Sequence, residues 1–291
     1  MKTSELLNKV RQIEIKTKGL SNHIFAGEYH TAFKGTGMAF SEVREYVNGD
    51  DLRTIDWNVT ARYNSPFVKV FEEEREMTVI LLIDVSASTN FGTNFQFKRD
   101  LCTEIAAIFA FSAIKNNDKV GVILFSNEVE KYIPPQKGKK HILRLIQEII
   151  NFQPKNKKTN IESALEYLNM VIKKRSISFI ISDFISANYQ KSIKIIKKRH
   201  DIIGIKLNDK SEKYLPNIGI IPLQNSETGE KYFLDSSNKK VREKFLNEKI
   251  FNDQKIKIFF QQNGIDLIEL NTGEEYIKPL MNFFKKRGSK K

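Results

Sequence analysis

From Met77 onward the chain repeats one pattern: a short, nearly continuous apolar run, then a longer segment with helical spacing. The runs are Met77–Ile83 (MTVILLI), Lys119–Phe125 (KVGVILF), Ile177–Ser182 (ISFIIS), Asp201–Leu207 (DIIGIKL) and Ile265–Leu270. A strand with one wet face alternates polar and apolar residues, whereas a strand covered on both faces reads as an unbroken apolar run. Between the runs, Phe95–Lys115, Lys139–Asn151, Ile161–Lys174, Gln190–Arg199, Asn238–Asn263 and Glu274–Lys286 carry apolar residues at helical spacing. Strands alternating with helices specify an α/β fold with a doubly wound, mostly parallel sheet of Rossmann type. Val129–Ile133 reads as a short edge strand stopped by Pro134 and Pro135. Ile218–Leu223 and Glu230–Leu234, joined through Asn225–Gly229, read as a small β-hairpin insertion.

Residues 1–75 lack this rhythm. Residues 1–18 fit a short amphipathic helix, with Leu6, Leu7, Val10 and Ile13 near one side. Residues 19–75 hold Gly19, Gly27, Gly35, Gly37 and Gly49, many aromatics and dense charge without a clear period. They are expected to form an irregular annex with one or two short strands, of which Pro66–Phe71 (PFVKVF) is one. The division is therefore 1–75, annex, and 76–291, α/β domain, within the size range of one domain plus an appendage.

Composition removes several classes. Hydrophobic residues make up 40% and Phe alone counts 21, so dominant disorder is excluded. One cysteine, Cys102, excludes a disulfide framework and a Cys-based zinc site. His23, His30, His141 and His200 have no ligand-like spacing. No apolar run approaches the ~18–20 residues needed to span a bilayer, and the charged, alternating N-terminus lacks the apolar core of a signal peptide. The expectation is a cytoplasmic protein without an integral membrane segment.

The net charge is +13, and residues 1–75 carry 11 basic and 11 acidic side chains, so the excess belongs to residues 76–291. A basic face attracts nucleic acid, and a nucleic-acid-binding α/β face is one alternative. The lysines are scattered, however, and runs such as Lys155–Lys158, Lys173–Arg175 and Lys197–Arg199 flank periodic segments, as solvated helix ends do. No aromatic-interleaved basic motif accompanies them, so nucleic acid is not the expected partner.

In a doubly wound sheet, ligands collect beyond the carboxyl ends of the strands. The first run exits into Asp84-Val85-Ser86-Ala87-Ser88, a carboxylate and two hydroxyls at alternate positions that point the same way in extended chain. The loop before the Ile161 helix supplies Thr159, and the run ISFIIS exits into Asp183. Carboxylate and hydroxyl oxygens suit Mg²⁺, with Mn²⁺ or Ca²⁺ as substitutes. The competing reading is capping: Ser86 or Ser88 at a turn, Thr159 or Asn160 on the following helix, Asp183 on another.

Asp84, Ser86, Ser88, Thr159 and Asp183, in that order, resemble the metal-ion-dependent adhesion site of von Willebrand factor A domains. The resemblance implies a cation that accepts a Glu or Asp from a partner protein. Upstream, Gly35, Gly37, Phe40, Arg44, Tyr46, Gly49, Asp50, Asp51, Arg53, Ile55, Asp56, Trp57, Ala61 and Arg62 resemble the hallmark segment of the domain of unknown function 58 family, which precedes a von Willebrand A-like domain. That resemblance implies an adaptor or assembly factor working with a MoxR-type AAA+ ATPase.

The annex residues alone admit two readings. Arg44, Arg53 and Arg62 interleaved with Glu42, Glu45, Asp50, Asp51 and Asp56 form either an ion-pair lattice anchored by Trp57 or a recognition surface. Gly35-Thr36-Gly37 lacks the lysine and the following Ser or Thr of a P-loop. Enzymatic function is not expected. An aspartate after a buried strand is also the nucleophile position of phosphoryl-transfer folds, but those carry a second carboxylate two residues on, where this chain has Ser86. A metal-dependent phosphoesterase is the enzyme alternative.

Overall fold

The computed structural model describes residues 38–73, 76–93, 96–186, 188–224 and 229–289. The expected N-terminal helix and Gly35–Gly37 lie outside the described residues. The described residues fall into two compact units, one ending at Met77 and the other beginning at Thr78.

The smaller unit is more regular than its sequence suggested. Strands β1 (Met38–Glu45) and β2 (Phe67–Glu73) pair antiparallel, with a register shift between Phe40 and Glu42. Between them lie a 3-10 turn (Leu52–Thr54) and helix α1 (Trp57–Tyr63). Each short element is started by its own aspartate. Asp51 accepts from Arg53 N at 3.0 Å, and Asp56 accepts from Asn58 N and Val59 N at 3.0 and 3.3 Å. Asn64, left-handed at φ 56°, ends α1. Local hydrogen bonds of this kind carry no hydrophobic period, which is why the segment reads as irregular.

The larger unit holds the six-stranded sheet. Its strands are β3 (Thr78–Asp84), β6 (Lys119–Phe125), β7 (Val129–Gln136), β8 (Ile177–Ser182), β9 (Asp201–Asn208) and β12 (Asp266–Asn271). The minor pairs β4 (Gly92–Thr93) with β5 (Gln96–Phe97), and β10 (Ile220–Gln224) with β11 (Lys231–Asp235), stand outside it. The spatial order is β12-β9-β8-β3-β6-β7, parallel throughout except for β7. The mostly parallel, doubly wound sheet and the hairpin insertion expected from the sequence are both present.

Helices cover both faces, as two-sided apolar strands require. On one face α2 (Lys98–Lys115) is buried along nearly its whole length, and Phe109 stacks on Phe179 of β8 at 4.1 Å. Helix α3 (Lys139–Asn151) buries Ile142, Leu145, Ile146 and Ile149 at helical spacing, and α7 (Ile277–Gly288) brings Phe284 within 6.1 Å of Phe109. On the other face, Ile80, Leu82, Ile123 and Ile180 pack against α4 (Ile161–Val171), α5 (Tyr189–Ile196) and Phe260 of α6 (Lys239–Gln262).

One expectation fails at the edge. Strand β7 does not stop at Pro134 but runs through Pro134 and Pro135 to Gln136. It pairs with β6 alone, and its register shifts between Val120 and Val122, so the prolines fall where ladder donors are not needed. Gly121 faces them: a Cβ there would lie 2.9 Å from Pro135 N.

The topology fixes where a site can form. From β3 the chain steps to β6 and β7, then returns to the far side of β3 to lay down β8, β9 and β12. In sheets of this kind such a reversal is where ligand sites form, here beyond the carboxyl ends of β3 and β8. Asp84 is the last residue of β3, and Asp183 follows the last residue of β8.

Candidate metal centre

Asp84 is buried at the end of β3, where Asp84 Oδ1 accepts from Ser86 N at 2.9 Å and Oδ2 accepts from the Ser182 hydroxyl at 2.6 Å. Ser86 Oγ lies 3.1 Å from Ser88 Oγ and accepts from Thr159 Oγ1 at 2.8 Å. The two loops are also tied through backbone, by Ala87 N to Lys157 O at 3.0 Å. Asp84, Ser86, Ser88 and Thr159 therefore form one connected set.

Asp183 stands beside it. Its Oδ1 accepts from Ile185 N at 3.1 Å, while its buried Oδ2 has no hydrogen-bond partner. Burial pushes the Asp84 carboxyl up to about 7, and the negative charge of Asp183 adds to the effect. The repulsion between these two buried carboxylates is one that a cation would relieve.

The capping alternative is resolved residue by residue. Asn160 caps α4 by accepting from Ser163 N at 3.2 Å, which leaves the Thr159 hydroxyl for Ser86. Ser86 precedes the 3-10 turn Ala87–Asn90 without a side-chain cap bond. Asp183 spends one oxygen on a local turn and keeps the other.

Sequence reasoning missed three groups. Ser182, the last residue of β8, donates to Asp84 and accepts from Phe184 N at 3.1 Å. Its signal was a hydroxyl at the last position of the run ISFIIS. Lys98 starts α2, is 1% exposed, and holds Nζ 3.6 Å from Asp183 Oδ2 while pairing more closely with Glu212. In a lysine-rich chain nothing marked it. The backbone is strained at the same place: Phe184, buried and bulky, has φ 59°.

The donor set suits a hard divalent cation: carboxylates of Asp84 and Asp183, hydroxyls of Ser86, Ser88 and Thr159, and one buried carboxylate oxygen without a donor. Among the described residues there is no group of three or more His, Cys, Asp or Glu side chains placed to hold a metal. Any ion here would rely on hydroxyls for half or more of its protein ligands.

In the smaller unit, Arg44 clamps Asp50 with two nitrogens, each 2.7 Å from a carboxylate oxygen, and Val47 N adds a third bond at 2.9 Å. These bonds hold the Asp50 carboxyl below its usual range, the Arg44 guanidinium contributing most. Asp51 and Asp56 act as caps, and Lys69 lies 3.5 Å from Asp56. The half-buried Tyr46 ties its backbone N to Pro66 O at 2.9 Å. Arg53 and Arg62 are exposed and hold no ion pair among the described residues. Trp57 is 70% exposed at the first position of α1, so it is not the buried anchor of a lattice. In place of an extended ion-pair lattice, the described residues hold one bidentate pair, the Lys69–Asp56 pair and two caps.

The architecture places the chain among α/β proteins with a central, mostly parallel sheet flanked by helices. It belongs to the family described as "Protein of unknown function DUF58", whose model matches residues 42–255. The uncharacterized protein Rv1480 of Mycobacterium tuberculosis is 26% identical over 97% of this chain and 90% of its own length. Among solved structures, an aerotolerance-related membrane protein from Bacteroides fragilis superposes with TM-score 0.51 at 12% identity, covering 74% of this chain and 100% of that one. The SpRpn10 VWA domain matches with TM-score 0.40 at 11% identity, over 71% of this chain and 94% of that one. Among the described residues no helix is long and apolar enough to cross a membrane.

Proposed function

We propose that the chain is a non-enzymatic protein-interaction module whose docking point is a divalent cation, Mg²⁺ in the first instance, held at the end of β3 and β8. Asp84, Ser86, Ser88, Thr159 and Asp183 would hold it. The observation that carries this reading is their convergence at the sheet's reversal point, with Asp183 Oδ2 buried and unpartnered by any hydrogen bond. Hydroxyl ligands neutralise less charge than carboxylates, so a bound ion would keep affinity for one more anionic oxygen from outside. A partner offering Glu or Asp supplies it.

The protein's own groups do the positioning. Ser182 fixes the rotamer of Asp84, Thr159 fixes the Ser86 hydroxyl, and Asn160 relieves Thr159 of capping. The family hallmark around Arg44–Asp50 and Asp56-Trp57 supports an adaptor or assembly role with a MoxR-type AAA+ ATPase. The exposed Trp57 suits a surface that meets another protein.

The test is affinity capture from native lysate in Mg²⁺ and in chelator, with wild type and Asp84→Ala as baits. A MoxR-type ATPase retained by wild type in Mg²⁺, and lost in chelator and with Asp84→Ala, is the expected result. Equal capture in all arms removes metal dependence. Calorimetric titration of the two proteins with Mg²⁺ decides the site: equally tight binding by Asp84→Ala overturns it.

A further inference from the structure

The charge next to the candidate centre is arranged in an order that invites a question about Lys98. Its ammonium is buried, and a buried ammonium must be paired. Glu212, on the 3-10 turn Lys210–Glu212 after β9, makes the close pair. Asp183 Oδ2, at 3.6 Å, is within ion-pair range but beyond hydrogen-bond range. An ammonium has three donors, so Lys98 retains the capacity to bond Asp183 as well. Glu212 is itself held from behind. Lys249 of α6 lies 3.8 Å from Glu212 Oε2 and 3.8 Å from Asp253, and Asp253 pairs with the fully buried Lys206 of β9.

We propose that Lys98 is a tethered cation competing with the divalent ion for Asp183, and that Glu212 sets the metal affinity by holding Lys98 aside. The inference rests on the metal-site reading above. Charge balance argues for it. A divalent ion on Asp84 and Asp183 neutralises the two carboxylates and leaves Lys98 to Glu212. Without the ion, the ammonium is the nearest positive charge for the unpartnered oxygen of Asp183. If Glu212 is neutralised, Lys98 loses its closer carboxylate and its remaining attraction is to Asp183, where it occupies the side of the site that the ion needs. Lys249, by drawing on the other oxygen of Glu212, keeps the glutamate from following the lysine inward.

The experiment is calorimetric titration with Mn²⁺ of wild type, Lys98→Met, Glu212→Gln, the double variant and Asp84→Ala, with thermal unfolding of each in chelator and in excess Mn²⁺. Glu212→Gln should bind about tenfold more weakly than wild type, and Lys98→Met and the double variant more tightly. Lys98→Met should also show the larger rise in Tm on adding Mn²⁺, a readout that a packing role for the lysine does not produce. Because Glu212 is partly exposed, its variant carries the test if Lys98→Met does not fold cooperatively. Wild type that binds no Mn²⁺ while Lys98→Met does also supports the competition. Equal affinity of Glu212→Gln and wild type, or Lys98→Met binding no tighter than wild type, overturns the competition alone, provided Asp84→Ala has lost binding. Failure of all chains to bind Mn²⁺, or binding by Asp84→Ala as tight as wild type, overturns the metal reading together with it.

Discussion

Thr159 Oγ1 donates to Ser86 Oγ at 2.8 Å, joining two loops that lie 73 positions apart in the chain. Each side has another tie: Ser86 Oγ lies near Ser88, and Thr159 O accepts from Ser186 Oγ at 3.1 Å. Thr159→Val keeps the shape and removes the donor. It should cost about 1 kcal/mol of stability by denaturant titration, the usual worth of a buried hydroxyl bond. Mg²⁺ affinity should fall by about tenfold. Unchanged Mg²⁺ binding would count against Thr159 as a member of the set.

The Ser182 hydroxyl is bonded on both sides, donating to Asp84 and accepting from Phe184 N. Ser182→Ala strips a donor from a buried carboxylate and an acceptor from a buried amide. A loss of about 2–3 kcal/mol is expected, at the upper end for a charged hydrogen bond. Asp84→Asn should offset part of that loss, because a neutral amide is cheaper to bury than an unsolvated carboxylate. A double-mutant cycle in chelator measures the coupling, and additive losses would contradict it.

How much of this was written in the sequence depends on the range of each interaction. The strands were legible because two-sided burial leaves apolar runs such as Met77–Ile83, and the β3 end residues were legible because Asp84, Ser86 and Ser88 sit in one segment. Strand β7 was not, because Pro134 and Pro135 block most strands and pass here by falling at a register shift on an edge. Helix α1 was hidden by its shortness and by starting from an aspartate cap rather than an apolar period. Lys98 was illegible for a different reason: its partner Glu212 is 114 positions away, and one lysine among 48 basic residues carries no mark of burial. Trp57 shows the opposite error, since a lone Trp invites assignment to a core that the fold does not give it.

Gly204 in β9 shows how closely α6 approaches the sheet. A Cβ there would lie 2.5 Å from Phe260 Cε1 and 2.9 Å from Leu267 Cδ1. Phe260 is fully packed, in edge contact with Phe184 at 5.1 Å, so its ring has little room to retreat. Gly204→Ala should destabilise by about 1–3 kcal/mol through overpacking. The strained turn at Phe184 makes the consequence reach further, because displacing Phe260 loosens the residue that follows Asp183. Weakened Mg²⁺ binding in Gly204→Ala, with the site residues untouched, is the expected calorimetric result. A variant as stable as wild type would show that α6 can move away freely.

His200 supplies a pH dependence remote from the metal centre. Its ring is buried between β8 and β9, with Nδ1 2.8 Å from Ser176 Oγ and Nε2 without a partner. Burial pulls its pKa down to about 4, and neighbouring Arg199 contributes in the same direction. The unfolded chain protonates this imidazole near pH 6.5, while the folded chain keeps it neutral until about 4. Between these values the unfolded state binds more protons, so stability falls on acidification through that window and levels off below it. The contribution is at most about 1.4 kcal/mol per pH unit. Denaturant titrations of wild type and His200→Leu from pH 4 to 7 isolate it, since other groups titrate in both proteins. The difference in stability between them should shift in favour of the leucine variant as pH drops below 6.5, and a difference independent of pH would show that the imidazole binds its proton equally well in the folded and unfolded chain.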